Sequence, residues 1–468
     1  MKKFALDMFM CAATVFCGYA EVPQAHVYAS KGDFFRLEGV VNASHYEADG
    51  VKMIEFTAGD ARRCMALDGI DHIDLCTVGV PRIHIDIPGN PDLSQIVDKE
   101  TYLTGEISME GNGYVKDFDK VSVMIKGRGN STWWFPKKPM RLKFSEKVSL
   151  GGLKKAKNYV LLANYIDPSL MRNTVALWIA REMGIPWSNH IVPCDVTFNG
   201  NDLGAFMLTE KVGINGASVD IEETEGILLE LSTEFDEKYK FHSAKYNLPV
   251  MVKDPDFDEL YEDAPSFGTP EEKLAAWKAD FEHAESLVAE GRGFEVFDLD
   301  SFVDYMLLYN IVLNSEIGHP KSLYLHKERL GEECKWQCGP VWDFDASFNL
   351  SEPYNGSFRP RPAVNGLWVN AMFDKLTSTS GFMERYKARL AEFQADIYPR
   401  MLEFFDEYAE LVRPSAKANG LIWPGSHDTG WCLALDSFDH EQHAEELREW
   451  LVVRVAHLVR LAEQNRLR

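Results

Sequence analysis

The sequence predicts an α+β protein in two parts, β-rich over about residues 79–212 and mostly helical over about residues 213–468. Three observations predict it. Polar and apolar residues alternate strictly in "KVSVMIKG" and "PMRLKFS", and successive side chains of a strand point to opposite faces. From about residue 365 the helical period dominates, in "FMERYKARLAEFQADIYPRMLEFFDEYAELV" and "EELREWLVVRVAHLVRLAEQ". Between these regions come one helix, more strands, and a helical stretch interrupted by one hairpin, an order that suggests two lobes.

The 468 residues are 46% hydrophobic, enough to bury one large core or two ordinary ones. A formal net charge of −23 repels nucleic acid and anionic membrane in bulk. Any cluster of positive charge on this background is therefore informative. After the N-terminus no stretch is long and apolar enough to span a bilayer.

Residues 1–20 read as a secretory signal peptide. Lys2 and Lys3 precede an apolar run from Met8 to Cys17, and Gly18-Tyr19-Ala20 ends in small residues. The chain is then expected to be exported, to the periplasm, the cell surface or the medium; the alternative is a buried N-terminal helix. Beyond the leader, Cys64 and Cys76 could close a loop. Cys334 and Cys338 fall in what reads as one strand, where positions four apart lie about 13 Å apart, too far to bridge. No cysteine or histidine spacing suggests zinc.

Residues 21–78 alternate in "FFRLEGVV" and "VKMIEFTA" and read as short strands, either a small β module or the edge of a main sheet. "RIHIDIP" starts a clearer β run. "KVSVMIKG" and "PMRLKFS" then flank a Gly-rich turn as a hairpin. Asp167-Pro168-Ser169 predicts a helix start, and Gly184 with Pro186 its end. Asn199-Gly200 joins two strands as a turn dipeptide, and "GILLELS" is another strand. Residues 235–275 look like an acidic, aromatic excursion. "PEEKLAAWKADFEHAESLVAEG" is an amphipathic helix, and "DLDSFVDYMLLYNIVLNSE" is apolar enough to be buried. "SLYLHKERLGEECKWQCGPVWDFDASF" reads as strand, turn, strand.

Three segments carry chemistry. In "KGRGNSTWWFPKKPMRLKF", residues 126–144, two glycines surround Arg128, and Lys137, Lys138, Arg141 and Lys143 follow close together. Glycine turns with free N–H groups and nearby cations suit phosphate; a polar-tipped hairpin is the plainer alternative. In "VWDFDASF", Asp343 and Asp345 are two apart in an apolar strand and so share a face. Burying both costs several kcal/mol unless a cation pairs with them, and a divalent metal is the economical one. Surface carboxylates or partners for arginine are the alternative. The third segment, "LNSEIGHPKSLYLH", places Asn314, Glu316, His319, Lys321 and Ser322 directly after the buried helix. A phosphate cradle, an orienting helix, a polar loop and a metal aspartate, in that order, are the parts of a phosphoryl-transfer site.

With "NYVLLANYIDPSLMRN", "GAFMLTEKV" and "GPVWDFDASF" added, the chain resembles the spore-coat protein H (CotH) kinase family over about residues 80–460. The resemblance implies a two-lobed, distantly protein-kinase-like domain over 79–468, with ATP and Mg²⁺ or Mn²⁺ as cofactors. It implies a secreted atypical kinase that modifies Ser or Thr of a partner protein. Gly127, Arg128, Gly129, Asn130 and Ser131 would cover the nucleotide phosphates, and Lys138, Arg141 or Lys143 would pair with them. Thr209, Glu210 and Lys211 would join the lobes and receive adenine through backbone. Asp343 would hold the metal, with Asp345 and Ser322 as further ligands, and Arg172 and Asn173 would brace the site. Glu316 stands where the family tends to carry aspartate as acceptor of the substrate proton. Its extra methylene moves the carboxylate by over about 1 Å, enough to slow transfer severely.

Two other readings follow from the same residues. One is a nucleotide-binding pseudokinase or surface binding protein that kept the frame and lost the chemistry. The other is a hydrolase using Asp343, Asp345 and Glu316 as acid and base, for instance on glycosides, which leaves the Gly-rich turn and its cations unexplained.

Overall fold

The computed structural model describes residues 79–89, 96, 98–263, 265–348, 367–424 and 440–467, and six strands lying between residues 24 and 74. The proposed leader, residues 1–20, lies outside the described residues, as do the side chains of Cys64 and Cys76.

The six early strands form two antiparallel three-stranded sheets. One has the order β2 (Phe34–Glu38), β1 (Gln24–Ala29), β6 (Ile70–Asp74), and the other β3 (Asn42–Ala48), β4 (Val51–Ala58), β5 (Ala61–Ala66). These strands pair among themselves and add no stave to the sheet that follows.

Seven strands close into a barrel. They are β7 (Arg82–Asp86), β8 (Leu103–Glu110), β9 (Phe118–Gly127), β10 (Met140–Val148), β11 (Ala156–Leu162), β12 (Val192–Phe198) and β13 (Asn201–Glu210). The order round the barrel is β10-β11-β13-β12-β7-β8-β9. All neighbours are antiparallel except β12 and β7. The alternation read from the sequence holds: in β10, Met140, Leu142 and Phe144 are buried while Arg141 and Lys143 between them are half-buried. Ile83, Ile107, Ile125, Leu142 and Leu161 fill the interior. The β9–β10 hairpin has Gly127 opposite Met140 and Lys126 opposite Arg141. At the β12–β13 turn both Asn199 and Gly200 have positive φ, 49° and 78°, the backbone that favours this dipeptide.

A second core lies beyond the barrel. An antiparallel sheet has the order β15 (Lys240–His242), β16 (Pro249–Asp254), β14 (Ile227–Leu231), β17 (Leu323–Lys327), β18 (Gln337–Cys338). The stretch 235–275, expected to be an excursion, thus supplies two strands of this sheet before the short helix α2 (Phe257–Asp263). Helix α1 (Arg172–Glu182) comes between barrel strands in sequence but packs into this second core. It begins later than the Asp167 signal because Leu170, at φ 57°, breaks the first turn. Asp167 still caps it from a distance, accepting the Arg172 N–H at 2.9 Å.

Helix α3 (Pro270–Ala289) starts at Thr269 and Glu272, whose side chains satisfy each other's backbone N–H groups as a capping box. Helix α4 (Leu299–Val312) is the buried helix foreseen, enclosed by α1, α6 (Phe382–Glu392) and α8 (His440–Glu463). Helices α5 (Ala371–Thr377) and α7 (Tyr398–Ile422) complete the set, and α7 packs along β13 of the barrel. The protein is α+β, with β structure leading and helices concentrated toward the C-terminus. The second part is less purely helical than expected, since it holds the five-stranded sheet. Among the described residues no helix is long and apolar enough to cross a membrane.

Residues 341–346 are not the strand that "VWDFDASF" suggested. Strand β18 ends at Cys338, and Asp343 has φ 67°, which no strand tolerates. Cys334 sits in the turn before β18, and Cys334 and Cys338 are both free thiols.

Candidate active site

A cavity of about 370 Å³ gathers residues from segments far apart in the chain. Gly127, Arg128, Gly129, Asn130 and Ser131 line it from the β9–β10 connection. Glu316 and Ser322 line it from the loop after α4, and Asp343 and Asp345 from the segment after β18. Arg141 lines it from β10.

The Gly-rich turn is held by backbone bonds. Arg128 N–H donates to Pro139 O at 3.2 Å, and Trp133 N–H to Asn130 O at 3.1 Å, opening a 3₁₀ turn over Ser131–Trp134. Gly129 has φ 92°, and a Cβ there would lie 2.6 Å from Thr132 Oγ1. A Cβ on Gly127 would overlap the Trp133 ring. Both glycines are therefore required by the path of the turn.

The carboxylate side is braced by α1. Asn173 Nδ2 donates to Asp345 Oδ1 at 2.6 Å, and Asn173 Oδ1 accepts the Phe344 N–H at 2.8 Å. Arg172 pairs with Asp167 and donates from Nε to Ser347 O at 3.3 Å. Asn314, the N-cap of the Ser315–Ile317 turn, donates to Asp343 O at 3.0 Å. Ser322 Oγ lies 3.4 Å from Asp343 Oδ2. The backbone at Asp343 turns left-handed, yet both aspartates reach one cavity, through a bend rather than through strand alternation.

Three side-chain oxygens of the cavity, Asn164 Oδ1, Glu230 Oε2 and Glu316 Oε2, are buried and accept no hydrogen bond among the described residues, although Glu230 Oε2 has the Lys253 ammonium at 3.0 Å. Burial, then the nearby Asp343, pushes the Glu316 carboxyl up to about 9. Burial and Asp343 likewise push Asp345 up to about 7, against the lowering bond from Asn173. Arg128 stands over the Trp342 ring at 5.7 Å. Burial draws its guanidinium down, while Asp343, Tyr324, Asp345 and Glu230 pull it back up. Lys321 Nζ donates to Ser131 Oγ at 3.1 Å and pairs with Glu234 at 3.2 Å, so it links the Gly-rich turn to the polar loop.

Three expected nucleotide contacts are directed elsewhere. Lys138 donates to Trp133 O at 2.6 Å and lies over the Trp133 ring. Lys143 points at the Tyr102 ring, 5.9 Å from its centroid. Glu210 turns to His190, taking its N–H at 2.9 Å and its Nδ1 at 2.7 Å. The Glu210 carbonyl accepts the Asn189 amide at 2.7 Å. None of the three lines the cavity.

Other lining residues were not singled out from the sequence. Lys253 on β16 pairs with Glu230 on β14 at 3.0 Å and with Glu237 at 2.9 Å. Lys211, named from the sequence only for its backbone, lines the cavity too. A lone glutamate in "ILLEL" and a lone lysine in "VMVKD" were the available signals. A charge in an apolar strand asks for a partner.

The model of the CotH kinase protein family matches residues 125–458. The chain belongs to the CotH kinase family. The CotH match begins inside β9, directly before the Gly-rich turn, and ends in α8, so it includes every cavity segment from Lys126 onward. Strands β7 and β8 lie ahead of it, although the CotH barrel closes through them. Among curated proteins, none matches the chain.

Among the described residues no group of three or more His, Cys, Asp or Glu side chains is placed to hold a metal alone. Asp343, Asp345 and the Ser322 hydroxyl offer the partial shell that Mg²⁺ takes when phosphate oxygens supply the rest. The buried, unbonded Glu316 Oε2 beside them fits a site short of positive charge and of donors. The residues therefore fit a metal–nucleotide complex better than a metal alone.

Proposed function

We propose that this CotH kinase is an atypical protein kinase that transfers the γ-phosphate of ATP to Ser or Thr of a partner protein, with Mg²⁺ or Mn²⁺. One observation carries the reading: a single cavity brings the Gly-rich turn and its Arg128 against Asp343, Asp345 and Glu316, which come from two other segments of the chain. A hydrolase reading explains the carboxylates but not the Gly-rich turn.

Asp343, Asp345 and Ser322 would hold the metal, which supplies charge neutralisation for the phosphate oxygens when bound. Gly129 to Ser131 would offer backbone N–H groups to the phosphates, the Arg128 N–H being taken by Pro139 O, and Arg128 adds positive charge near the carboxylates. Glu316, once a metal's charge beside Asp343 lets its carboxyl ionise, would take the hydroxyl proton of the acceptor as the acceptor oxygen bonds to the γ-phosphorus and the bond to ADP breaks. From α1, Asn173 fixes Asp345 and Arg172 holds the Ser347 carbonyl two residues on. The two-lobed, kinase-like organisation is part of this reading, with the barrel as the first lobe and the cavity between the cores. So is export: Lys2, Lys3 and the apolar Met8–Cys17 run support a leader and an exported or surface acceptor.

A second reading is nucleotide binding without transfer. Glu316 in place of the family's aspartate, and a serine at 322 as the weaker ligand, favour it.

Calorimetric titration of the mature protein with ATP, with and without Mg²⁺ or Mn²⁺, tests the site. Binding that needs metal and is lost in Asp343→Ala supports it, and the absence of binding with either metal refutes it. Transfer of labelled phosphate to protein then separates kinase from pseudokinase.

A further inference from the structure

The limb that returns from the Gly-rich turn, residues 135–139, is tied twice to the C-terminal end of α7. The first tie is polar. Lys137 is fully buried, and its ammonium donates to Ala205 O on β13 and, at 2.6 Å, to Asn419 Oδ1 in the last turn of α7, 282 residues away in sequence. The same Asn419 oxygen accepts the Ala205 N–H at 3.2 Å. Gly204 beside it has no room for a Cβ, which would lie 2.6 Å from that oxygen. The second tie is aromatic. Phe135 stacks on Tyr165 with ring centroids 5.1 Å apart, Tyr165 meets the Trp423 ring edge-on at 6.2 Å, and the Trp423 indole donates to Leu203 O at 2.9 Å.

The polar tie is a poor source of stability. Among the described residues no carboxylate comes within ion-pair distance of Lys137; Asp195, Cys194 and Asp202 act on it only from further off. Its other neighbour is the Phe206 ring, 4.4 Å away. An apolar side chain there would give up two hydrogen bonds and remove the whole cost of burying the charge. What the ammonium supplies is position, because it fixes the limb to one point on β13 and one on α7. Two residues on, Pro139 O accepts the Arg128 N–H at 3.2 Å, so the limb in turn holds the residue between Gly127 and Gly129. Lys137 itself does not line the cavity.

We propose that Lys137 and Asn419 are positioning residues, through which the last turn of α7 sets where the Gly-rich turn sits over the cavity. This rests on reading the cavity as a nucleotide site. It takes Lys137 out of the basic cluster that the sequence offers to phosphate, and it makes the end of α7 part of the machinery.

The experiment compares the full mature chain with Lys137→Met, Asn419→Ala and Asn419→Asp at pH 6. It combines calorimetry with ATP and Mg²⁺, thermal unfolding, and amide hydrogen exchange. Lys137→Met should melt no lower than the wild type, which must keep the buried charge at this pH. It should nevertheless bind ATP on the order of tenfold more weakly, because the turn is no longer preorganised. Exchange over residues 126–139 should quicken while the buried helix α4 stays protected. Asn419→Ala should loosen the turn in the same way. Asn419→Asp keeps both bonds to the side-chain oxygen and should behave as the wild type. A role in packing alone would instead lower the midpoint and the protection of α4 together with the affinity, and that result overturns the proposal. Wild-type affinity and exchange in Lys137→Met and Asn419→Ala overturn it too, as does an Asn419→Asp that behaves like Asn419→Ala. If Lys137→Met does not fold, the two Asn419 variants decide by the same criteria. If wild-type protein binds no ATP, the nucleotide reading falls, and exchange at the turn decides the tie: faster exchange keeps it and unchanged exchange removes it.

Discussion

Asn173, in the first turn of α1, donates to Asp345 at 2.6 Å across a sequence separation of 172 residues. The same amide accepts the N–H of Phe344, so one side chain fixes both the backbone and the carboxylate of the Asp-Phe-Asp segment. Asn173→Ala should therefore cost about 1–3 kcal/mol of stability, the range for a buried bond to a charged group. It should also weaken Mg²⁺-dependent ATP binding on the order of 10- to 100-fold, as loss of an outer-shell partner does. Denaturant unfolding and calorimetry measure the two effects separately. An unchanged metal dependence would show that Asp345 needs no brace.

Glu316→Gln keeps the shape of the side chain and removes its ability to take a proton. Transfer should fall by about 100-fold or more, while ATP binding stays. Stability near neutral pH should not fall, because the carboxyl is buried beside Asp343 and its ionised form is disfavoured there. Glu316→Asp is the complementary test. If the loop still accommodates the shorter side chain that the family tends to carry, transfer to the protein acceptor rises.

Gly129→Ala introduces a side chain at φ 92° and 2.6 Å from Thr132 Oγ1. The left-handed backbone alone costs about 1–2 kcal/mol. The turn over Ser131–Trp134 should shift, and the affinity for ATP should drop more than the thermal midpoint does. Titration of the variant beside its melting curve checks this. Equal binding would mean that the phosphates do not meet this turn.

Lys137 gives a pH dependence. It is buried, its ammonium contacts Ala205 O and lies 2.6 Å from Asn419 Oδ1, and burial pushes it down to about 7 from 10.5. Between those values the unfolded chain binds the extra proton, so stability rises with pH from about 7 toward 10.5 and is lowest below 7. Asp195 and Asp202 oppose the shift and Cys194 lies beside it, without removing it. Lys137→Met should flatten that slope, as read from urea unfolding across this range of pH.

Much of the fold was legible where local chemistry decides the backbone. The Asn199-Gly200 turn, the Thr269 capping box and the alternation of β10 are examples. The site was legible as a set of segments, because Gly127 to Ser131, Glu316, Asp343 and Asp345 do meet in one cavity. Where side chains point was less so. Lys137, Lys138, Arg141 and Lys143 look equivalent in sequence, yet Lys137 is buried against α7 while Arg141 alone of the four lines the cavity. That division depends on α7, more than 260 residues later in the chain. Alternation predicted that the two aspartates share a face, but the left-handed turn at Asp343 is set by tertiary partners such as Asn314 and Asn173. Strands β15 and β16 were hidden because their short runs carry charge that only the neighbouring strands of the sheet explain.

The seven-stave barrel also bears on how a fragment of this chain would behave. A piece cut at the start of the family match, residue 125, would lack β7, β8 and most of β9. Strand β12 would then have no partner on its β7 side, and what is left of β9 would have none on its β8 side. Each gap is a row of unpaired backbone groups that neighbouring molecules can fill, so such a fragment would self-associate. Expression should begin ahead of Arg82, so that the wall beside the Gly-rich turn is complete.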